Sequence, residues 1–293
     1  MEGHDQAQYP VPRVPRQEAA AQSGPAQERR LSVRYVRYVN EGATQGPVPL
    51  VLLHGFTQTG ASWAPVVSAL HGRFPVVLPD APGHGGSSAV RADLWKTADL
   101  LAEAVPTPAA WVGYSMGGRT ALHLALSHPE AVARLVLMST SAGIDDPAKR
   151  AARQTADEAL AQRIEREGMD EFLASWLAQP LFATLSPEDA GLADRLTNEP
   201  AGLASSLRLA GAGAQQSLWG RLGELGGQRI PVLLLAGELD RDYRRHAERM
   251  AGLIGPTAAV EVVGGAGHAC HLERPVEVAQ AIVRFCQAGP ELV

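Results

Sequence analysis

The stretch Trp111-Val-Gly-Tyr-Ser-Met-Gly-Gly-Arg119 decides the fold. Its centre, Gly113-Tyr-Ser-Met-Gly117, matches the nucleophile-elbow pattern G-x-S-x-G, which places a serine on a tight turn between a strand and a helix. The flanks fit this setting, because 109–113 are apolar enough for a short buried strand and 120–127 carry leucine and alanine at helical spacing. Glycines flank Ser115 because the serine backbone on such a turn is strained and a side chain two residues away would collide with it. The pattern therefore predicts that Ser115 is the reactive residue.

Apolar runs that end in turn-forming residues alternate with helical patterns on both sides of the elbow. The predicted strands are 31–39, 48–53, 74–78, 109–113, 134–139, 232–236 and 259–263. We expect the first of them to be antiparallel to the sheet, because a turn follows it at 40–42. The alternation is typical of an α/β fold, in which a mostly parallel central sheet carries helices on both faces. Such sheets place their functional loops at the carboxyl ends of the strands.

The strand pattern stops between Gly143 and Leu225, and helical patterns replace it. Helices are predicted at 147–167, 171–177, 187–197 and 203–210, the first of them capped by Asp146, with Pro147 at its first position, and ended by Gly168. We interpret this segment as an inserted helical cap over the active face, which would shape the pocket and exclude water. The expected domain organisation is a core formed by 31–142 and 226–288 and a cap formed by 143–225.

Residues 1–30 are rich in Gln, Ala, Pro, Glu and Arg and lack hydrophobic periodicity, so we expect a disordered leader. Our hypothesis is that function begins near Leu31, and loss of activity on deleting 1–30 would contradict it. The net charge of −5 gives no reason to expect nucleic acid as a partner. Two cysteines imply no disulfide framework, and no apolar run is long enough for a membrane span or a secretion signal. We therefore expect a cytoplasmic protein.

The residues that can activate Ser115 follow it in the order acid and then histidine. A serine hydroxyl needs a neighbouring imidazole to take its proton, and the imidazole needs an acid that fixes its tautomer. Asp240 and His268 each follow a predicted strand, and the order Ser, acid, His is the one expected of α/β-hydrolases. Glu238 and Asp242 compete for the acid position, and His271 competes for the base. We prefer Asp240 because it lies a few residues past the strand, where a loop can turn its carboxylate toward the histidine. We prefer His268 because it directly follows the glycine-rich strand exit.

Two backbone N–H groups are expected to stabilise a developing oxyanion. The candidates are Met116, which follows the serine, and Phe56, which lies in the loop after the strand at 48–53. His54 in the same loop is interpreted as structural. No third ligand accompanies His268 and His271 at metal-binding spacing, so we expect no metal, and nothing indicates a cofactor.

These motifs together resemble those of the α/β-hydrolase superfamily from about Leu31 to Cys286. Within the superfamily, the chain resembles the 2-succinyl-6-hydroxy-2,4-cyclohexadiene-1-carboxylate synthase family of menaquinone biosynthesis. The stretches that carry this resemblance are Gly113–Arg119, Arg150–Asp157, Trp176–Phe182, Arg195–Asn198 and Gly237–Asp240.

The resemblance implies a lyase. In that family the histidine-activated serine acts as a base that removes a proton from the substrate ring, pyruvate is eliminated, and an oxyanion hole holds the charge that forms on the succinyl carbonyl. The resemblance also implies the substrate-binding residues, which are Tyr114, Arg119, Arg153, Trp176, Phe182 and Arg195. Arginine suits this role, because the substrate carries several carboxylates and a guanidinium binds a carboxylate through two parallel hydrogen bonds.

Two other functions compete with the lyase. A serine hydrolase of carboxylate-bearing esters or carbon–carbon bonds would use the same serine and oxyanion hole. A non-catalytic binding module is disfavoured, because Ser115, Asp240 and His268 occur together in the expected order. The expected partner of the protein is a small carboxylate, and the sequence leaves the oligomeric state open.

Overall fold

The computed structural model describes residues 30–36, 48–105 and 108–288. The leader predicted at 1–30, apart from Arg30, lies outside these residues. Within them, no helix has both the length and the apolar character that crossing a membrane requires.

The described strands form one sheet in the order β1-β3-β2-β4-β5-β6-β7. Their bounds are β1 Val33–Val36, β2 Leu50–Leu53, β3 Val76–Pro79, β4 Ala109–Tyr114, β5 Val132–Met138, β6 Val232–Gly237 and β7 Ala258–Val263. β1 pairs with β3 in antiparallel register, and every other pairing is parallel. The predicted α/β fold with a mostly parallel sheet is confirmed, and so is the antiparallel first strand over Val33–Val36.

The central strands are buried along their whole length, which explains why they are continuous apolar runs rather than alternating ones. Every residue of β2, β4 and β6 is buried. This is expected of parallel strands that helices cover on both faces. The edge strand β7 differs, because Val260 and Val262 are partly exposed on it.

Helices cover both faces of the sheet. One face packs on α1 Ala64–Ala69, α10 Cys270–Glu273 and α11 Pro275–Gln287. The other face packs on α2 Leu94–Ala104, α3 Met116–Ser127, α8 Gly223–Gly227 and α9 Arg241–Ile254. Each face therefore has its own hydrophobic core, as a doubly covered sheet requires.

Four further helices lie in the chain between β5 and β6. They are α4 Pro147–Glu167, α5 Met169–Leu177, α6 Leu192–Arg195 and α7 Pro200–Ala210. The side chain of Asp146 accepts hydrogen bonds from two N–H groups at the start of α4, and Gly168 ends the helix with φ of 79°. Their apolar faces form a third core cluster, which includes Ile164, Phe172 and Leu203.

The helix predicted at 187–197 is wrong in its extent, because only Leu192–Arg195 is α-helical. Gly191 has φ of 64° and ψ of 37°, which lies in the left-handed region and starts the helix late. The sequence pattern at 187–197 indicates a helix but does not reveal this break in the backbone.

Two buried histidines lie in the core near the loops that form the site. His123 is 1% exposed, its Nδ1 is 2.7 Å from the Arg119 carbonyl oxygen, and its ring lies edge-on against Trp95. His84 is fully buried. Burial lowers the pKa of His84 to about 3 and that of His123 to about 4.

These lowered pKa values predict an acid-sensitive fold. Between about pH 4 and 6.5, His123 is protonated in the unfolded chain but stays mostly neutral in the folded protein. The free energy of unfolding therefore falls as the pH falls through this window. Replacing His123 with phenylalanine, which packs on Trp95 but does not titrate, should reduce that slope by up to about 1.4 kcal/mol per pH unit. Urea unfolding across the window measures the slope, and an unchanged slope in His123→Phe would contradict the assignment.

Candidate active site

Ser115 lies between the end of β4 and the start of α3 and has φ of 52° and ψ of −108°. Its N–H donates to the carbonyl oxygen of Met138 at 2.9 Å. Its carbonyl oxygen accepts from the Thr140 hydroxyl at 2.8 Å and from the Arg119 N–H at 3.1 Å. A positive φ is unfavourable for a residue with a side chain, so these hydrogen bonds hold the serine in a strained turn.

The glycines of the elbow are required by close backbone approach. A Cβ at Gly113 would collide with the Gly117 carbonyl group, and a Cβ at Gly117 would collide with the carbonyl group of Leu53 on β2. A Cβ at Gly118 would lie 2.7 Å from the Cβ of Thr140. The start of α3 therefore packs directly against the ends of its neighbouring strands, which fixes the height of Ser115 above the sheet.

Gly117→Ala should destabilise the protein strongly, because its Cβ meets backbone that cannot move aside. We expect a loss of at least about 3 kcal/mol, or a melting temperature lower by about 6–12 °C for a chain of this size. Gly252→Ala is the matched control, since Gly252 lies exposed in α9 with nothing within 4 Å of the added Cβ. The control should gain about 0.5 kcal/mol. Equal melting temperatures for the two variants would contradict this account of the elbow.

The loops after β4, β6 and β7 bring Ser115, Asp240 and His268 together. The Nδ1–H of His268 donates to Asp240 Oδ2 at 2.7 Å, and His268 Nε2 is 3.3 Å from Ser115 Oγ, placed to accept the hydroxyl proton. His268 is 2% exposed. Glu273 on α10 accepts from the N–H groups of Gly267 and Ala269, which fixes the loop that carries the histidine. The arrangement is that of a serine–histidine–acid triad.

The alternative acids and the alternative base lie elsewhere. Glu238 accepts a hydrogen bond from the Gly265 N–H, and Asp242 forms an exposed ion pair with Arg245. His271 is fully buried behind the site, where its Nε2 lies 3.4 Å from Gln58 Nε2 and its ring packs 4.2 Å from that of Tyr114. Burial holds the pKa of His271 well below its ordinary value, so this ring stays neutral.

The Phe56 and Met116 N–H groups are free to bind an oxyanion, since neither donates to a described residue. The loop that carries Phe56 is fixed at its start by His54. The Nδ1–H of His54 donates to the Gly55 carbonyl oxygen at 2.8 Å, and the Nε2 of His54 accepts from the Ala81 N–H at 2.9 Å. His54 therefore holds two neighbouring loops together, which agrees with its predicted structural role.

A cavity of about 350 Å³ opens above Ser115, between the sheet and the helices that follow β5. This volume suits a small organic ligand. All six residues that the resemblance implied for substrate binding line it, namely Tyr114, Arg119, Arg153, Trp176, Phe182 and Arg195.

The arginines of the cavity differ in their partners. Arg119 Nη1 donates to the Ala210 carbonyl oxygen at 2.7 Å, and Arg195 donates to the Ala190 carbonyl oxygen and the Thr57 hydroxyl. Neither has a carboxylate partner within the described residues, and burial lowers the pKa of Arg119 to about 10 and also lowers that of Arg195. Arg153 is half exposed and pairs with Asp157 at 2.7 Å.

The different partners of the arginines determine which of them favour a bound anion. A buried cation without a counter-ion gains most from a bound carboxylate, because the carboxylate replaces the lost hydration. Arg195, which is buried, meets this condition fully and the partly buried Arg119 meets it in part, whereas Asp157 already neutralises the charge of Arg153. The cavity is thus most favourable to an anion beside Arg119 and Arg195.

Aromatic rings form the other walls of the cavity. Trp176 lies 5.3 Å from the Phe56 ring and 5.8 Å from Phe182, and Phe182 lies 6.2 Å from His268. Tyr243 was not predicted from the sequence. Its ring lies 4.5 Å from that of His268, and it also lines the cavity. Its position three residues after Asp240, in the first turn of α9, was the available signal.

Comparison with known proteins identifies the family of the chain. Residues 50–281 match the model of the alpha/beta hydrolase family. The chain belongs to the alpha/beta hydrolase family. A thermophilic esterase from Thermogutta terrifontis with malate bound has a similar structure, with 23% identity and a TM-score of 0.71 over 88% of this chain and 94% of that one. At this identity the likeness concerns the fold alone.

Other relatives in the family are more similar. The chain is 32% identical over 249 residues to 2-succinyl-6-hydroxy-2,4-cyclohexadiene-1-carboxylate synthase from Salmonella paratyphi C, which covers 82% of this chain and 94% of the relative. It also resembles the solved structure of MenH from S. aureus, with 29% identity, a TM-score of 0.79, and coverage of 86% of this chain and 97% of that one.

Proposed function

We propose that the protein is a carbon–oxygen lyase of menaquinone biosynthesis. It eliminates pyruvate from 2-succinyl-5-enolpyruvyl-6-hydroxy-3-cyclohexene-1-carboxylate and forms 2-succinyl-6-hydroxy-2,4-cyclohexadiene-1-carboxylate. The observation that carries the proposal is the arrangement of the triad below a cavity in which Arg119 and Arg195 lack a carboxylate partner among the described residues. The relatives named for this synthase support it.

The names of substrate and product define the bonds that change. The hydrogen on ring carbon 2 is lost as a proton, and a double bond forms between carbons 2 and 3. The existing double bond moves from carbons 3 and 4 to carbons 4 and 5, and the bond between ring carbon 5 and the enolpyruvyl oxygen breaks. The leaving enolpyruvate gains a proton and becomes pyruvate. The elimination consumes no water and needs no redox partner, so a base and an oxyanion site suffice.

The triad supplies the base. His268 Nε2, 3.3 Å from the serine oxygen, takes the Ser115 hydroxyl proton while that oxygen removes the ring proton. Asp240 accepts the Nδ1–H of the resulting imidazolium and stabilises its charge. The ring proton is acidic because it lies next to the succinyl carbonyl group, whose oxygen takes up the negative charge.

The Phe56 and Met116 N–H groups would bind that oxygen. Donors that point at the oxyanion before the reaction cost no reorganisation during it, which makes them effective in a site shielded from water. Both residues line the cavity beside Ser115. The proposed oxyanion is an enolate rather than the tetrahedral intermediate of a hydrolase, but it requires the same donors.

Arg119 of α3 and Arg195 of α6 would bind the carboxylates of the substrate. Tyr114, Trp176 and Phe182 would pack on its ring and its apolar carbons, and Arg153 would contribute at the exposed edge. We also propose that 143–225 work as a cap, with its last part anchored in the core by Leu218, Trp219, Leu222 and Leu225. The site of action would be the cytoplasm.

A hydrolase is the second candidate, because the same triad geometry can activate Ser115 as a nucleophile. The reaction products separate the two functions. The lyase releases pyruvate and a conjugated diene in a ratio of one to one, which a lactate dehydrogenase assay and ultraviolet absorbance measure in the same sample. Consumption of the substrate without pyruvate would exclude the lyase.

A further inference from the structure

The residue after Phe56 has an unusual backbone. Thr57 has φ of 70°, in the left-handed region that a β-branched residue rarely adopts. Thr57 lies in the turn from Gly55 to Gln58, in which the Gln58 N–H donates to the Gly55 carbonyl oxygen at 3.2 Å. The Phe56 N–H, one of the two proposed oxyanion donors, lies in the same turn, so the contacts that hold the strained Thr57 bear on the position of this donor.

Asn198, which follows α6 in the chain, holds this turn through its side-chain amide. Its Nδ2 donates to the Thr57 carbonyl oxygen at 2.8 Å and to the Arg195 carbonyl oxygen at 3.0 Å, and its Oδ1 accepts from the Gly85 N–H at 2.9 Å. Asn198 is 4% exposed, so water does not replace these bonds. The pattern also fixes the orientation of the amide, because two carbonyl groups face Nδ2 and an N–H faces Oδ1.

The other groups of Thr57 are also bound. The Thr57 N–H donates to His84 Nε2 at 3.3 Å, and the hydroxyl accepts from Arg195. Thr57 itself is fully buried. The turn is thus held on one side by His84 and on the other by Arg195 and Asn198, which follow β5 in the chain and belong to the proposed cap.

A separate contact joins the same two segments without touching Thr57. Asp194 accepts hydrogen bonds from the Thr59 N–H at 3.1 Å and from the Thr59 hydroxyl at 2.5 Å. Replacing Asp194 with alanine removes a similar number of hydrogen bonds to replacing Asn198 with alanine. The Asp194 contact is therefore a matched control for the contact made by Asn198.

We propose that Asn198 is a positioning residue, which holds Thr57 in its left-handed conformation and thereby aims the Phe56 N–H at the oxyanion. This inference rests on the proposed function, because the oxyanion is the enolate of that reaction.

Steady-state kinetics and melting temperatures test the proposal. Asn198→Ala should lower kcat for pyruvate release by about 30-fold, since a misplacement of about 1 Å or the loss of one oxyanion donor has effects of this order or larger. KM should change by less than about 3-fold, because no substrate contact is removed. Asp194→Ala should lower the melting temperature similarly but leave kcat within about 3-fold. Equal losses of kcat in both variants would overturn the proposal.

A second substitution tests the role of the backbone strain. Glycine adopts a positive φ without strain, so Thr57→Gly should make the turn less dependent on Asn198. We expect Asn198→Ala to cost less than about 5-fold in kcat when it is introduced into Thr57→Gly, against about 30-fold in the parent. The same fold-loss of kcat in both backgrounds would mean that Asn198 does not act through the strained backbone of Thr57, and the proposal would fail.

Hydrogen exchange separates a failure of this proposal from a failure of the proposed function. If the parent protein releases no pyruvate, the lyase assignment is wrong, but the Thr57 amide still reports on the turn. Its exchange, followed by ¹⁵N NMR, should speed up by at least about 10-fold in Asn198→Ala and remain unchanged in Asp194→Ala. Unchanged exchange in Asn198→Ala would overturn the positioning role.

Discussion

Replacing Ser115 with alanine is expected to lower kcat for pyruvate release by about 10⁴-fold, the largest effect of any single substitution in the site. The substitution removes the oxygen that takes the ring proton, and His268 Nε2 is placed to reach that oxygen rather than the ring. The melting temperature should change little, because the elbow glycines and the backbone contacts of residue 115 remain. Rapid-quench or coupled measurement of pyruvate gives the rate.

His268→Ala should reduce the rate by a similar factor, and the double variant should be no slower than either single one. Residues that act as one unit show such non-additive losses, since removing one already disables the other. If Ser115→Ala retains more than about a tenth of the parent rate, another group removes the proton and the mechanism proposed here is wrong.

The second large effect is expected at Arg119. Arg119→Met keeps the length and apolar stem of the side chain but removes a partly buried charge that has no carboxylate partner among the described residues. A charge-assisted hydrogen bond to a carboxylate contributes about 1.5–3 kcal/mol, so kcat/KM should fall by about 10–100-fold or more, mostly through KM. Initial rates over a range of substrate concentration measure the effect.

Arg153→Met is the matched control for Arg119→Met. Its guanidinium lines the same cavity but is half exposed and already paired with Asp157. The loss of kcat/KM should therefore stay below about 10-fold. A larger loss of kcat/KM in Arg153→Met than in Arg119→Met would contradict the inference that Arg119, which has no carboxylate partner among the described residues, holds the substrate carboxylate.

The sequence was most informative where a function depends on a local pattern. The G-x-S-x-G elbow at 113–117 depends on close backbone approach, which only glycine permits, so the residue types themselves reveal the turn. Asp240 and His268 could be chosen because each follows a strand whose carboxyl end meets the elbow in a parallel sheet. The buried strands were likewise visible as continuous apolar runs.

Features that depend on contacts distant in sequence were not predictable in this way. The pair of Arg153 with Asp157, four residues further along α4, fits helical spacing, but the lack of a carboxylate partner for Arg119 among the described residues depends on segments distant in the chain. The contact of Asn198 with Thr57 joins residues far apart in the chain, and the positive φ of Thr57 is unexpected for threonine. Such features follow from tertiary packing rather than from residue type.

The central claim is that Ser115 acts as a base in an elimination rather than as a nucleophile in hydrolysis. The most direct test is a paired assay of the purified protein, with the enolpyruvyl cyclohexene substrate in one cell and a short-chain aryl ester in the other. The account predicts rapid release of pyruvate that disappears in both Ser115→Ala and His268→Ala, with little turnover of the ester. Rapid ester hydrolysis without pyruvate would contradict it.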